Sequence, residues 1–104
     1  MDLIETANCL AELGHETRLS IFRYLVKMGK EGVSVGDIQK ELGIPGSTLS
    51  HHISRLSHVG LIRQERSSRT LFCIPQYEKL QGLVDFLVAE CCQGETCLET
   101  STCC

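Results

Sequence analysis

Ser47 to Gly60 reads STLSHHISRLSHVG, and how that stretch folds decides the rest. Leu49, Ile53, Leu56 and Val59 recur at intervals of four, three and three, which places them on one stripe of an α-helix. The other face carries Ser47, Thr48, Ser50, His51, His52, Ser54, Arg55 and His58, all donors or acceptors and none acidic. Short hydroxyls, imidazoles and a guanidinium suit the floor of a DNA major groove. Taken alone, the same pattern also describes a solvated amphipathic helix, so the flanks carry the argument.

Upstream, Ser34 to Leu42 (SVGDIQKEL) predicts a short helix with Val35, Ile38 and Leu42 inward and Ser34 and Asp37 in capping-box spacing. Gly43-Ile44-Pro45-Gly46 then ends it, because Gly43 suits the left-handed C-terminal position and Pro45 blocks continuation. Two helices joined by so short a glycine-bearing turn form a helix-turn-helix. Downstream the period changes: Leu61 to Arg66 and Thr70 to Ile74 read as two strands around a polar Ser67-Ser68-Arg69 tip. That hairpin carries Arg63, Arg66 and Arg69, the residue type that grips phosphates and enters narrow minor grooves. The expected fold is mainly α with a β-hairpin, a winged helix-turn-helix. Its candidate DNA contacts are Ser47, Thr48, Ser50, His51, His52 and Arg55 on the recognition helix, with Arg66 and Arg69 on the wing.

LGHETRLSIFRYL at Leu13 to Leu25, the STLSHHISRLSHVGLI run and the arginine-bearing wing together resemble the ArsR (SmtB/ArsR) family of small metal- and metalloid-responsive repressors. The resemblance covers nearly the whole chain. It implies a homodimer formed through the terminal helices and release of operator DNA when a metal or metalloid binds.

Charge distribution agrees with a DNA-facing centre. The net charge is −3, but residues 47–75 hold four arginines against Glu65, +3, whereas residues 1–46 carry −2 and residues 76–104 carry −4. So small a positive excess gives only modest non-specific affinity, leaving dimerisation and base contacts to supply the remainder. A chain of 104 residues supports one domain, here residues 1–92, followed by a cysteine-rich tail at 93–104. MDLIETANCL has no basic region and no apolar run approaches the roughly 20 residues of a membrane span, so a soluble cytoplasmic protein with no membrane partner is expected.

Helices are also expected at Asp2 to Leu13, with Leu3, Ala7, Leu10 and Ala11 on one face, and at Glu16 to Met28, with Leu19, Phe22, Leu25 and Val26 inward. From Gln76, Leu80, Leu83, Val84, Leu87, Val88 and Cys91 form a further helical stripe. The first and last helices have more apolar face than one winged helix covers, which predicts a two-fold dimer. Such a dimer needs an inverted-repeat site with half-sites spaced by one helical turn, roughly 34 Å.

Five of the seven cysteines follow Glu90. Gly94 can reverse the chain and bring Cys97 back toward Cys91 and Cys92, with Cys103 and Cys104 as accessory thiols. Three thiolates make a soft site, which suits trivalent arsenic (As(III)) or Sb(III) better than tetrahedral zinc, although Zn(II) or Cd(II) can recruit a fourth sulfur. The resemblance agrees, because some arsenic-sensing members have an adjacent Cys pair and a third Cys beyond it. Other members use Cys-x-Cys before the recognition helix, where this chain has Ser34 and Gly36, and others an Asp/His zinc site on the last helix, although no histidine follows His58 here. Cys9 and Cys73 read as packing residues, and His15 and Arg18 as structural.

A redox switch using the same thiols is the alternative. A helix C-terminus with Glu90, Glu95 and Glu99 nearby disfavours the reactive thiolate. A thiol reductase needs an activated nucleophile that the cluster does not offer, so no enzyme is expected.

Overall fold

The computed structural model describes residues 1–89, in the order α1 (Leu3–Leu13), α2 (Glu16–Met28), β1 (Val33–Ser34), α3 (Val35–Leu42), α4 (Gly46–His58), β2 (Ile62–Ser67), β3 (Thr70–Pro75) and α5 (Tyr77–Val88). Local chemistry sets several of these boundaries. The Asp2 carboxylate accepts from the Glu5 N–H at 2.7 Å and starts α1, while His15 Nδ1 accepts from the Thr17 N–H at 3.1 Å and starts α2. Ser34 Oγ accepts from the Asp37 N–H at 3.1 Å, and Gly43 closes α3 at φ 64° in the left-handed region. The two helices stand as the spacing predicts, separated by three residues, Gly43 to Pro45.

The wing gains a strand. β1 pairs with β3, Val33 opposite Cys73 and Ser34 opposite Phe72, giving a three-stranded antiparallel sheet of order β1-β3-β2. Two residues are too short for a pattern of alternation to declare itself in sequence. Gly32 makes this pairing possible: at φ 85°, a Cβ there would lie 2.6 Å from Ile74 Cγ1 and 2.8 Å from the Cys73 carbonyl. The hairpin register runs from Ile62 opposite Pro75 to Ser67 opposite Thr70, so the turn is two residues long, with Ser68 at φ 58°.

The core lies where α2, α3 and α4 meet the base of the sheet, with Ile21, Leu25, Ile38, Leu49, Leu56, Leu61, Ile62, Cys9 and Cys73 fully buried. Cys9 and Cys73 are packing residues, and burial pushes the Cys73 thiol up to about 11.

Among the flanking helices one expectation about faces needs correction, in α2, whereas the apolar faces of α1 and α5 lie as the dimer reading expects. In α2, Leu19 is exposed and Ile21 takes its place in the core. In α1 the buried residues are Thr6, Cys9 and Glu12, so Leu3, Ala7, Leu10 and Ala11 turn outward. In α5 only Leu83 is buried, and Val84 and Leu87 are exposed. The apolar stripes of the two terminal helices are real, but they do not close this core. α5 is described as far as Val88, with Ala89 at φ −58° and ψ 136°. Cys91, Cys92, Cys97, Cys103 and Cys104, and the boundary placed at residue 93, lie outside the described residues.

Candidate nucleic-acid interface

α4 offers an outer face made of Ser47, Thr48, Ser50, His51, Ser54, Arg55 and His58, all exposed. Leu49, Ile53 and Leu56 anchor the helix from behind. No carboxylate stands in its first turn, and Arg55 and His58 stand in its last. On the wing, Arg66 and Arg69 are exposed and make no ion pair among the described residues. Arg63 is tied down at the base of the wing, donating from Nε to Glu65 at 3.0 Å and from Nη1 to the Gln76 side-chain carbonyl at 2.8 Å.

His52 differs from the expectation that it faces outward. It is 6% exposed, because it follows Leu49 by three and precedes Leu56 by four and so shares the inner stripe. Arg18 Nη1 lies 3.1 Å from His52 Nδ1, and since a guanidinium only donates, Nδ1 accepts and the ring proton sits on Nε2. The His15 ring lies 4.8 Å away and that of His51 5.7 Å, centroid to centroid. Desolvation, then the neighbouring His15, Arg18 and His51, hold the His52 imidazole below the usual histidine range.

A pH dependence follows from His52. Above about pH 6.5 the ring is neutral in both folded and unfolded chains and contributes nothing. Between there and the lower folded value, the unfolded chain takes up a proton that the folded chain refuses, so stability falls as pH falls. The midpoint of urea unfolding is expected to drop from pH 7.5 to 5.5 more steeply in the unaltered protein than in His52→Gln, whose amide oxygen can still accept from Arg18. Equal slopes would show that His52 is not the group responsible.

Arg18 also belongs to a second cluster that sequence reasoning missed. Glu12, on the inner face of α1, receives Arg55 Nε at Oε1 and Nη2 at Oε2, both at 3.0 Å. Arg18 Nε donates to the Glu12 backbone carbonyl at 2.7 Å and stands 3.5 Å from the carboxylate. The Arg55 hydrogen bonds hold the Glu12 carboxyl below the usual carboxylate range, against the upward push of burial. α1, α2 and α4 are thus tied by one carboxylate and two guanidiniums. Cys9 Sγ adds a contact with the Val59 carbonyl, at 3.6 Å, where α4 ends. The available signal was the spacing of Thr6, Cys9 and Glu12 by three, a polar stripe opposite the apolar one.

No three His, Cys, Asp or Glu side chains gather into a metal site among the described residues, and no described helix is long and apolar enough to cross a membrane. The arrangement presents a polar helix face beside an arginine-bearing hairpin.

Comparison with known proteins bears on what that arrangement is. The family model for a helix-turn-helix domain matches residues 13–65. The biofilm growth-associated repressor of Xylella fastidiosa is 33% identical over 92 residues, spanning 88% of this chain and 77% of the relative. The chain belongs to the helix-turn-helix family that this model describes. Its fold matches that of an ArsR-like transcriptional regulator from Rhodococcus sp. RHA1 with a TM-score of 0.71 at 21% identity, covering 81% of this chain and 76% of the other. It also matches the homodimeric winged helix-turn-helix DNA-binding domain of Mb0332 from Mycobacterium bovis, with a TM-score of 0.67 at 21% identity over 93% and 90% of the two chains. The relative is named as a repressor and these two neighbours as a transcriptional regulator and a DNA-binding domain, which accords with the polar α4 face and the wing.

Proposed function

We propose that this protein is a homodimeric transcriptional repressor of the ArsR family that binds inverted-repeat operator DNA when its C-terminal thiols are empty. Trivalent arsenic held by Cys91, Cys92 and Cys97 then releases it. The observation that carries the DNA half is the exposed, acid-free outer face of α4 beside Arg66 and Arg69. The repressor reading is supported by the name of the Xylella relative, and the dimer by the M. bovis neighbour and the outward apolar stripes of α1 and α5. The arsenic half is supported by the soft donor set of the tail, CC at 91–92 and a third thiol at 97, with Cys103 and Cys104 as accessory donors. Sb(III) fits the same donors, and Cd(II) or Zn(II) fits if a fourth sulfur joins. A repressor of this kind acts in the cytoplasm, where the chromosome of a bacterium lies.

The test begins with a duplex enriched from a random pool by the unaltered protein. That duplex is expected to contain an inverted repeat and to bind two chains. Fluorescence anisotropy of the labelled duplex, under reducing conditions, is then followed as arsenite, Cd(II) or an oxidant is added. Release by arsenite supports the proposal. Release only by oxidant would make the thiols a redox switch, and release only by Cd(II) a divalent-metal site.

A further inference from the structure

An arginine has two edges that can each grip a pair of acceptors: a side edge made by Nε and Nη2, and an end edge made by Nη1 and Nη2. In Arg55 the side edge is fully occupied by Glu12, two parallel bonds of 3.0 Å. The end edge has no partner among the described residues, and the side chain is 52% exposed. Glu12 is itself fixed, since its side chain is only 12% exposed and Arg18 holds both its backbone carbonyl and its carboxylate. Arg55 therefore differs from its neighbours on the same surface. Arg63 is engaged through Nε and Nη1, and Arg66 and Arg69 project from the wing without an ion pair among the described residues.

The geometry points to Glu12 as a positioning residue that locks the Arg55 guanidinium with its end edge outward, ordered in advance for two acceptors side by side on DNA. Guanine O6 and N7 present such a pair, and so do two oxygens of one phosphate. Because the long side chain is already confined, its rotamer entropy is lost on folding and not on binding. Glu12 lies on α1, whose outer face carries the apolar stripe, so one helix joins the proposed dimer contact to the recognition surface. The inference rests on the DNA-binding reading above.

Simple electrostatics predicts the opposite sign, which makes the test decisive. Removing the Glu12 carboxylate adds positive charge near a polyanion, and Coulomb attraction alone would tighten binding. Positioning predicts that binding weakens. The probes are the enriched duplex and a scrambled duplex of the same composition, each titrated with folded protein whose unfolding midpoint has been measured. Glu12→Gln is expected to bind the enriched duplex about tenfold more weakly. Glu12→Asp, which keeps the charge but withdraws it by one methylene, is expected to weaken it in the same sense and serves if the Gln variant does not fold. In an Arg55→Ala background, Glu12→Gln is expected to add no further loss, the mark of two residues acting as one unit. A loss confined to the enriched duplex assigns the end edge to a base, and an equal loss on both duplexes assigns it to phosphate. Unchanged or tighter binding by the Glu12 variants overturns the inference while leaving the DNA-binding reading intact. If the unaltered protein enriches no duplex, both fall together.

Discussion

Arsenite is expected to release the unaltered protein from its enriched duplex and to leave Cys91→Ser, Cys92→Ser and Cys97→Ser bound. A ligand shifts an equilibrium only through its difference in affinity for the two states, so arsenite must bind the free form more tightly than the DNA-bound form. A hundredfold loss of DNA affinity corresponds to a coupling of about 2.7 kcal/mol, within the usual allosteric range. Removing one of three sulfurs abolishes the site and with it the whole coupling, while DNA affinity without arsenite stays as it was. Cys9→Ser and Cys73→Ser are the controls, expected to respond normally. Burial raises both thiols above the usual cysteine range, so neither competes for a thiophilic ion. Full release from Cys97→Ser would give the third sulfur to Cys103 or Cys104, and full release from Cys91→Ser would end the arsenic proposal.

Leu87→Glu and Ile4→Glu are expected to produce folded monomers that bind the enriched duplex at least a hundredfold more weakly. In the isolated chain Ile4 is 73% exposed and Leu87 57%, so a carboxylate at either place loses almost no packing. In a two-fold dimer the same carboxylate is buried without a partner and appears twice, once from each subunit. Joining two half-site contacts in one rigid dimer multiplies affinity by orders of magnitude without any new contact, and splitting the dimer forfeits that factor. Sedimentation and far-ultraviolet circular dichroism check the two halves separately. A dimer that persists in both variants would place the subunit contact elsewhere.

The sequence was most informative where spacing and stereochemistry act locally. Ser34 as a cap, Gly43 in the left-handed region and the polar wing tip each follow from the conformations that one residue type permits. Faces were harder to read, because a helix with two non-equivalent sides does not say which side meets its own chain. α1 illustrates this, since its apolar stripe points outward and a stripe of Thr6, Cys9 and Glu12 packs inward. His52 was misplaced for the related reason that a histidine at an inner spacing looks polar until a donor such as Arg18 is found for it. The Glu12–Arg55 pair joins residues 43 apart, a separation that no local pattern encodes.

One hydrogen bond also gives the molecule a built-in optical reporter. The chain has no tryptophan and only two tyrosines, Tyr24 and Tyr77. The Tyr77 hydroxyl, on the first turn of α5, donates to the Val26 carbonyl near the end of α2 at 2.8 Å. Any rearrangement that carries a signal along α5 toward the helix-turn-helix has to pass this tether, lengthening it or exchanging the carbonyl for water. Phenol emission and absorption respond to the loss of such a bond, so the Tyr24→Phe protein would display the movement of α5 with no attached dye.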